Sequence, residues 1–244
     1  MSVNKSTKKG GGRLKEALGI LGVLVAAFGI IYGILNIPSC EREEPPHKAE
    51  KVWAKVTDTE TGITYIECPD GYGPTQVNPE RVFMECTEGN STLKFYEIRD
   101  TDTSRFIALK EVNGYTVYRA ESVTAPSIRS FTTGTARLYM AGATVPIDYF
   151  YTKEAAGGDA ELDGTAYINM VVDAFSGGGV SSATGDWGEK NNFSIWLTSK
   201  DFPGLYYKVE FKVDVNGAAY LYDRVTEKLV SAPKALVAKI VGPN

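Results

Sequence analysis

Residues 206–224 read YYKVEFKVDVNGAAYLYDR. Two runs rich in tyrosine and valine flank Asn216-Gly217, a dipeptide suited to the positive φ of a tight hairpin turn. The reading is two antiparallel strands, 206–215 and 218–224. Residues 106–112 and 115–120 repeat the arrangement around Asn113-Gly114. Near the start of this region Val52, Ala54 and Val56 alternate with Trp53, Lys55 and Thr57, and residues 63–68 return after the turn TDTETG. Further strand pairs are expected at 81–86 with 92–98 and at 136–140 with 144–151. Pro146 makes the last of these an edge strand or a bulged one. Strands are also expected at 193–198 and at 234–241, the latter closing a sheet, and 165–175 is a long apolar run.

Strand-like runs separated by turn chemistry, with no amphipathic helix evident between them, indicate an all-β region. The expected architecture is an antiparallel sandwich or a barrel-like fold in one or two β units. Residues 122–127, with Ala125-Pro126, interrupt the pattern and divide the region into 51–122 and 123–244.

Ahead of it lies a different signal. Residues 17–37, ALGILGVLVAAFGIIYGILNI, carry no charge. As a helix they would span roughly 31 Å, close to the hydrocarbon thickness of a bilayer. One N-terminal transmembrane helix is therefore expected, followed by a proline- and charge-rich linker at 38–50 that contains the only histidine, His47. Residues 1–16 form a basic tail expected to be disordered, with Lys5, Lys8, Lys9, Arg13 and Lys15 against Glu16. Basic residues beside a span favour the cytoplasmic side, so the tail is assigned inside and the β region to the periplasm or cell exterior. Cys40 follows Ser39, a small residue placed as in a bacterial lipobox, and is a candidate for lipidation in place of a helical anchor.

The chain has 244 residues and a net charge of −4. The tail contributes +4, which leaves −8 on the rest. A region so acidic is repelled by phosphate backbones, and nucleic acid is excluded as a partner. The expected partners are the lipid bilayer and an envelope protein or glycan.

Catalytic motifs are missing. A single histidine in a linker does not make a Ser-His-Asp triad, and sites that need several histidines are impossible. No GxxxxGK[ST], GxSxG or HExxH occurs. No catalytic residue is singled out, and no cofactor is expected. Asp159, Glu161 and Asp163 alternate along a loop and form a weak calcium candidate without the complete EF-hand pattern. Cys68 and Cys86 fall on apolar strand faces, and in an exported compartment a bridge between them is expected. The loop 176–192 holds Trp187 beside Asp186, and these two are the candidate binding residues, since an indole offers a flat surface to a partner or sugar. The alternative for Trp187 is a cap over the open end of the sandwich.

Binding or scaffolding in the cell envelope is the expected role. The alternatives are a membrane-anchored hydrolase acting on glycan through paired carboxylates, and a viral or mobile-element protein that modifies the host envelope.

Overall fold

The computed structural model describes residues 45–161, 163–177, 187 and 192–242. The tail, the apolar stretch 17–37 and Cys40 lie outside these, as does Asp186. Among the described residues no helix is long and apolar enough to cross a membrane.

The first half of the described chain consists of β1 (His47–Val52), β2 (Lys55–Asp58), β3 (Thr64–Glu67), β4 (Tyr72–Pro74), β5 (Val77–Glu88), β6 (Ser91–Ile98), β7 (Phe106–Glu111) and β8 (Gly114–Ala120). Seven of these close a barrel in the order β1-β2-β3-β8-β7-β6-β5, with β1 completing the ring by parallel pairing to β5. A 3-10 turn at Ile128–Phe131 leads to β9 (Thr135–Met140) and β10 (Asp148–Tyr151), then helix α1 (Thr165–Ala174). The chain ends through β11 (Phe193–Thr198), β12 (Leu205–Val213), β13 (Ala219–Asp223), β14 (Lys228–Ser231) and helix α2 (Lys234–Val241). These later strands make a second sheet ordered β10-β9-β11-β12-β13-β14, and β4 leaves the barrel to pair with β12.

Two cores result. Val56, Tyr65, Met84, Cys86, Phe95, Ile107, Leu109 and Tyr118 form one cluster, within the barrel. Ile98, Phe106, Ala108 and Val117 point the other way and pack with Leu138, Ile195, Leu197, Tyr207, Val209, Phe211 and Leu221 of the second sheet. Strand β7 shows how one sequence serves both. Phe106 to Leu109 are all buried, and successive side chains on a strand point to opposite faces. The barrel wall is therefore also the floor beneath the second sheet.

Several expectations change. Thr165–Ala174 form a helix: Ile168, Val171, Val172 and the C-cap residue Phe175 recur at helical spacing and all enter the larger core. Residues 234–241 are likewise helical, with Leu236 fully buried and Val237, Ile240 and Val241 packed around it. Residues 47–50, read as linker, belong to the barrel's closing strand, and among the described residues Pro45 and Pro46 stand before it. Val52 to Val56 is not continuous strand, because Trp53 and Ala54 make a two-residue turn with Trp53 at φ 58°. The 106–120 hairpin exists one residue out of place. Glu111 pairs with Gly114, so Val112 and Asn113 form the turn.

Cys68 and Cys86 are both free thiols, which corrects the expected bridge. The physical reason is the double-sided wall. Cys68 packs into the core shared with the second sheet, whereas Cys86 belongs to the cluster inside the barrel. Burial pushes the Cys68 thiol up to about 12, so it stays protonated and inert. Denatured protein should therefore alkylate at Cys68 and Cys86 without reductant, as peptide masses will show, while the native protein should resist at both. Alkylation of neither cysteine after denaturation would restore the bridge.

His47 is held, not loose. Its Nδ1 lies 2.8 Å from Oδ2 of the buried Asp58, and Nε2 lies 3.7 Å from Glu60. Burial alone would raise the Asp58 carboxyl, but hydrogen bonds from His47, Thr61 and the Glu60 N–H outweigh it and hold the group below 3.8. A depressed carboxyl stabilises the fold fully above its unfolded value, and the contribution is lost as pH falls through the folded value. Asp58→Asn should accordingly lower the melting temperature near neutrality and remove part of the wild type's loss of stability below about pH 4. Identical acid limbs in thermal melts of the two proteins would disprove this role.

Candidate functional site

The second sheet has a core face and an outer face, and the outer one is unusual. Alternation in β11 sends Phe193, Ile195 and Leu197 inward and leaves Ser194, Trp196 and Thr198 outside. In β12 it buries Leu205, Tyr207, Val209 and Phe211 in the core and sets Tyr206, Lys208, Glu210 and Lys212 on the outer side. Strand register aligns these into rows. One row runs Tyr149, Arg137, Trp196, Lys208 across β10, β9, β11 and β12. Next to it lies Tyr139, Ser194, Glu210, Tyr222. On the other side of the first row are Tyr151, Thr135, Thr198 and Tyr206.

Aromatic rings bind the rows together. Trp196 stacks on Tyr206 at 4.0 Å between centroids and 8° between planes, and Tyr139 lies 4.2 Å from Trp196 on its other side. Tyr149 and Tyr151 stack at 5.9 Å. Gly73 of β4 makes the Tyr206 position feasible: a Cβ there would come within 2.1 Å of the tyrosine ring. Burial pushes the Tyr206 hydroxyl up to about 12, so it remains a neutral donor and acceptor.

One carboxylate sits among the cations. Glu210 is 8% exposed and lies 3.0 Å from Lys212, while Arg224 Nε also donates to it. Arg224 reaches Asp70 at 2.8 Å with its other arm. Burial would raise the Glu210 carboxyl, but its bonds to Lys212 and Arg224 prevail and hold it below the usual range. Beside it a cleft of about 250 Å³ opens between Gly142, Asn192, Ser194, Lys208, Glu210 and Lys212.

Trp187 joins this face. It bridges to Asp214, packs its ring edge on Tyr220 at 5.7 Å, and receives the Lys212 ammonium at 5.2 Å from its ring centre. It is half-buried at the margin of the outer face, outside both core clusters. The other residues of the face were not singled out from the sequence, although the alternation within FSIWLT and YYKVEFK carried the signal.

The remaining candidates do not assemble. Asp159 accepts from the Glu161 N–H at 2.9 Å, and Asp163 caps the N-terminus of α1 through the Thr165 N–H at 2.9 Å. Among the described residues no group of three or more His, Cys, Asp or Glu side chains is placed to hold a metal. A larger trough of about 480 Å³ lies along Asn78, Glu97 and residues 99–102. Two of its charged groups serve the turns beside it: Asp102 accepts from the Ser104 N–H and Arg99 donates to Gln76. His47 has the Asp58 partner of a triad, but its second nitrogen faces Glu60 and not a nucleophile.

The position of Trp187 sets the cost of removing it. An edge contact and a cation–π contact are each worth about 1 kcal/mol, against about 3–5 kcal/mol for a core aromatic. In chemical denaturation Trp187→Ala should lose about 1–2 kcal/mol and Phe106→Ala several times that. Equal losses would make Trp187 a structural cap.

Comparison with known proteins finds no matching family, no matching curated protein and no matching solved structure.

Proposed function

We propose that this chain is a single-pass, membrane-anchored protein with its N-terminus in the cytoplasm, and that its extracytoplasmic β region is a binding module of the cell envelope. The anchor rests on the uncharged stretch 17–37 and its basic flank. The binding role rests on one observation above all. The outer face of the second sheet carries stacked aromatic rings and cations in register, half-exposed, where an ordinary solvent face would carry scattered polar groups. Aromatic residues and arginine are the side chains that dominate recognition surfaces.

The chemistry of the face favours binding over hydrolysis. A glycosidase needs two carboxyl groups across the scissile bond, one of them protonated near neutrality. Glu210 is held ionised by Lys212 and Arg224, and Asp70, the nearest second carboxylate in the network, is tied to the same arginine. Glu210, so restrained, has no acid to offer.

Two measurements test the proposal. A C-terminal alkaline phosphatase fusion should be active and a C-terminal cytoplasmic fluorescent reporter dark; the reverse result overturns the topology. The full chain should be retained by envelope fractions of its host, and a Trp196→Ala/Tyr206→Ala variant that still melts cooperatively should lose at least tenfold in retention. Undiminished retention by that variant would remove the outer face from the binding role.

A further inference from the structure

Arg137 is the least explained charge on the outer face. It stands in β9 between Tyr149 on one neighbouring strand and Trp196 on the other. Directly paired residues lie about 5 Å apart, so Arg137 has an aromatic residue beside it on either neighbouring strand. It is half-buried, and among the described residues no carboxylate pairs with it. Among the described residues its Nε has no acceptor, and neither does the indole Nε1 of Trp196 in the paired position. Both groups can only donate. Half-burying a guanidinium without a counter-charge is costly unless an anion completes it.

The neighbourhood points the same way. Lys208 follows Trp196 in the same row, 4.0 Å from a Glu210 that is already shared with Lys212 and Arg224. Three lysine or arginine side chains besides Arg137 thus surround one carboxylate. This cationic face lies within a region of net charge −8, so charge is segregated here against the overall trend.

We infer that the outer face binds an anionic glycan, with the Arg137 guanidinium holding a sugar's carboxylate or phosphate and the exposed ring of Tyr149 beside it packing on the neighbouring sugar. The inference rests on the binding role proposed above and names its ligand. The ring beside the guanidinium selects a glycan over an acidic polypeptide. Arginine pairs with carboxylate or phosphate through two parallel hydrogen bonds. Flat aromatic faces suit the C–H faces of pyranose rings. The fourth strand in the row, β12, brings Lys208 to the next anionic group along the polymer.

The experiment uses the full chain in detergent and four immobilised polymers: polygalacturonate, poly(glycerol phosphate), neutral dextran and polyglutamate. Wild type should bind one or both anionic carbohydrate polymers at least tenfold more tightly than dextran or polyglutamate. Polygalacturonate and poly(glycerol phosphate) separate a carboxylate ligand from a phosphate one. Arg137→Gln should lose at least tenfold on the preferred polymer. Arg137→Lys, which keeps the charge but not the fork, should recover only part of the loss. Lys208→Gln should weaken binding less, and all variants should melt within a few degrees of wild type. Should Arg137→Gln fail to fold, Arg137→Lys and Lys208→Gln carry the test. Equal binding to dextran overturns the inference and leaves a neutral-glycan surface. Preference for polyglutamate overturns it in favour of an acidic protein partner. Binding of none of the four, with envelope retention intact, overturns the anionic glycan alone; loss of envelope retention as well overturns the binding role.

Discussion

The fold depends on a wall of strands buried from both sides. β6, β7 and β8 line the barrel with one set of side chains and support the second sheet with the other. Each substitution there is felt in one of two cores, and the choice alternates residue by residue. Phe106 and Ala108 answer to the second sheet, Ile107 and Leu109 to the barrel. The same division keeps Cys68 and Cys86 apart. With its core face occupied by the wall and by both helices, the second sheet has only its outer face to present to solvent.

That outer face owes its geometry to a small number of fixed points. Glu210 is drawn down by Lys212 and Arg224, and Arg224 is anchored on Asp70 just ahead of β4. Gly73 in β4 admits the Tyr206 ring, which sets the plane on which Trp196 stacks. The barrel half of the chain thus shapes a surface built mainly by the other half. The short crossover of β4 links the two sheets as covalently as it does structurally.

Much of the β content was legible because period two and turn residues are local signals. The strands at 92–98, 106–112 and 193–198 could be read from alternation, and the hairpin at 206–224 from its turn chemistry, although its turn takes in residues 214–218 and not Asn216-Gly217 alone. What failed was context. Ile168, Val171 and Val172 obey the helical period, yet the short apolar run they sit in resembles a buried strand. The strand character of His47 to Glu50 is supplied by β2 and β5, which no local pattern reveals. The cysteines looked alike because both faces of the wall are apolar, and sequence does not tell two cores from one. The outer face was missed for a related reason: Arg137, Trp196 and Lys208 come from three separate segments, and only strand register makes them neighbours.

The barrel's closing strand also decides how the molecule bears load. Tension arriving along the chain from its N-terminal side is delivered first to β1 at His47. This strand is fastened on both edges, antiparallel to β2 and parallel to β5. A pull along its axis loads both ladders in shear, and their hydrogen bonds must yield together. A sideways pull instead peels them one at a time, beginning at the clasp between His47 and Asp58, while Lys51 and Glu88 hold the far end at 2.9 Å. The seam is therefore stiff in one direction and fragile in the other, and the lone histidine stands where tearing begins.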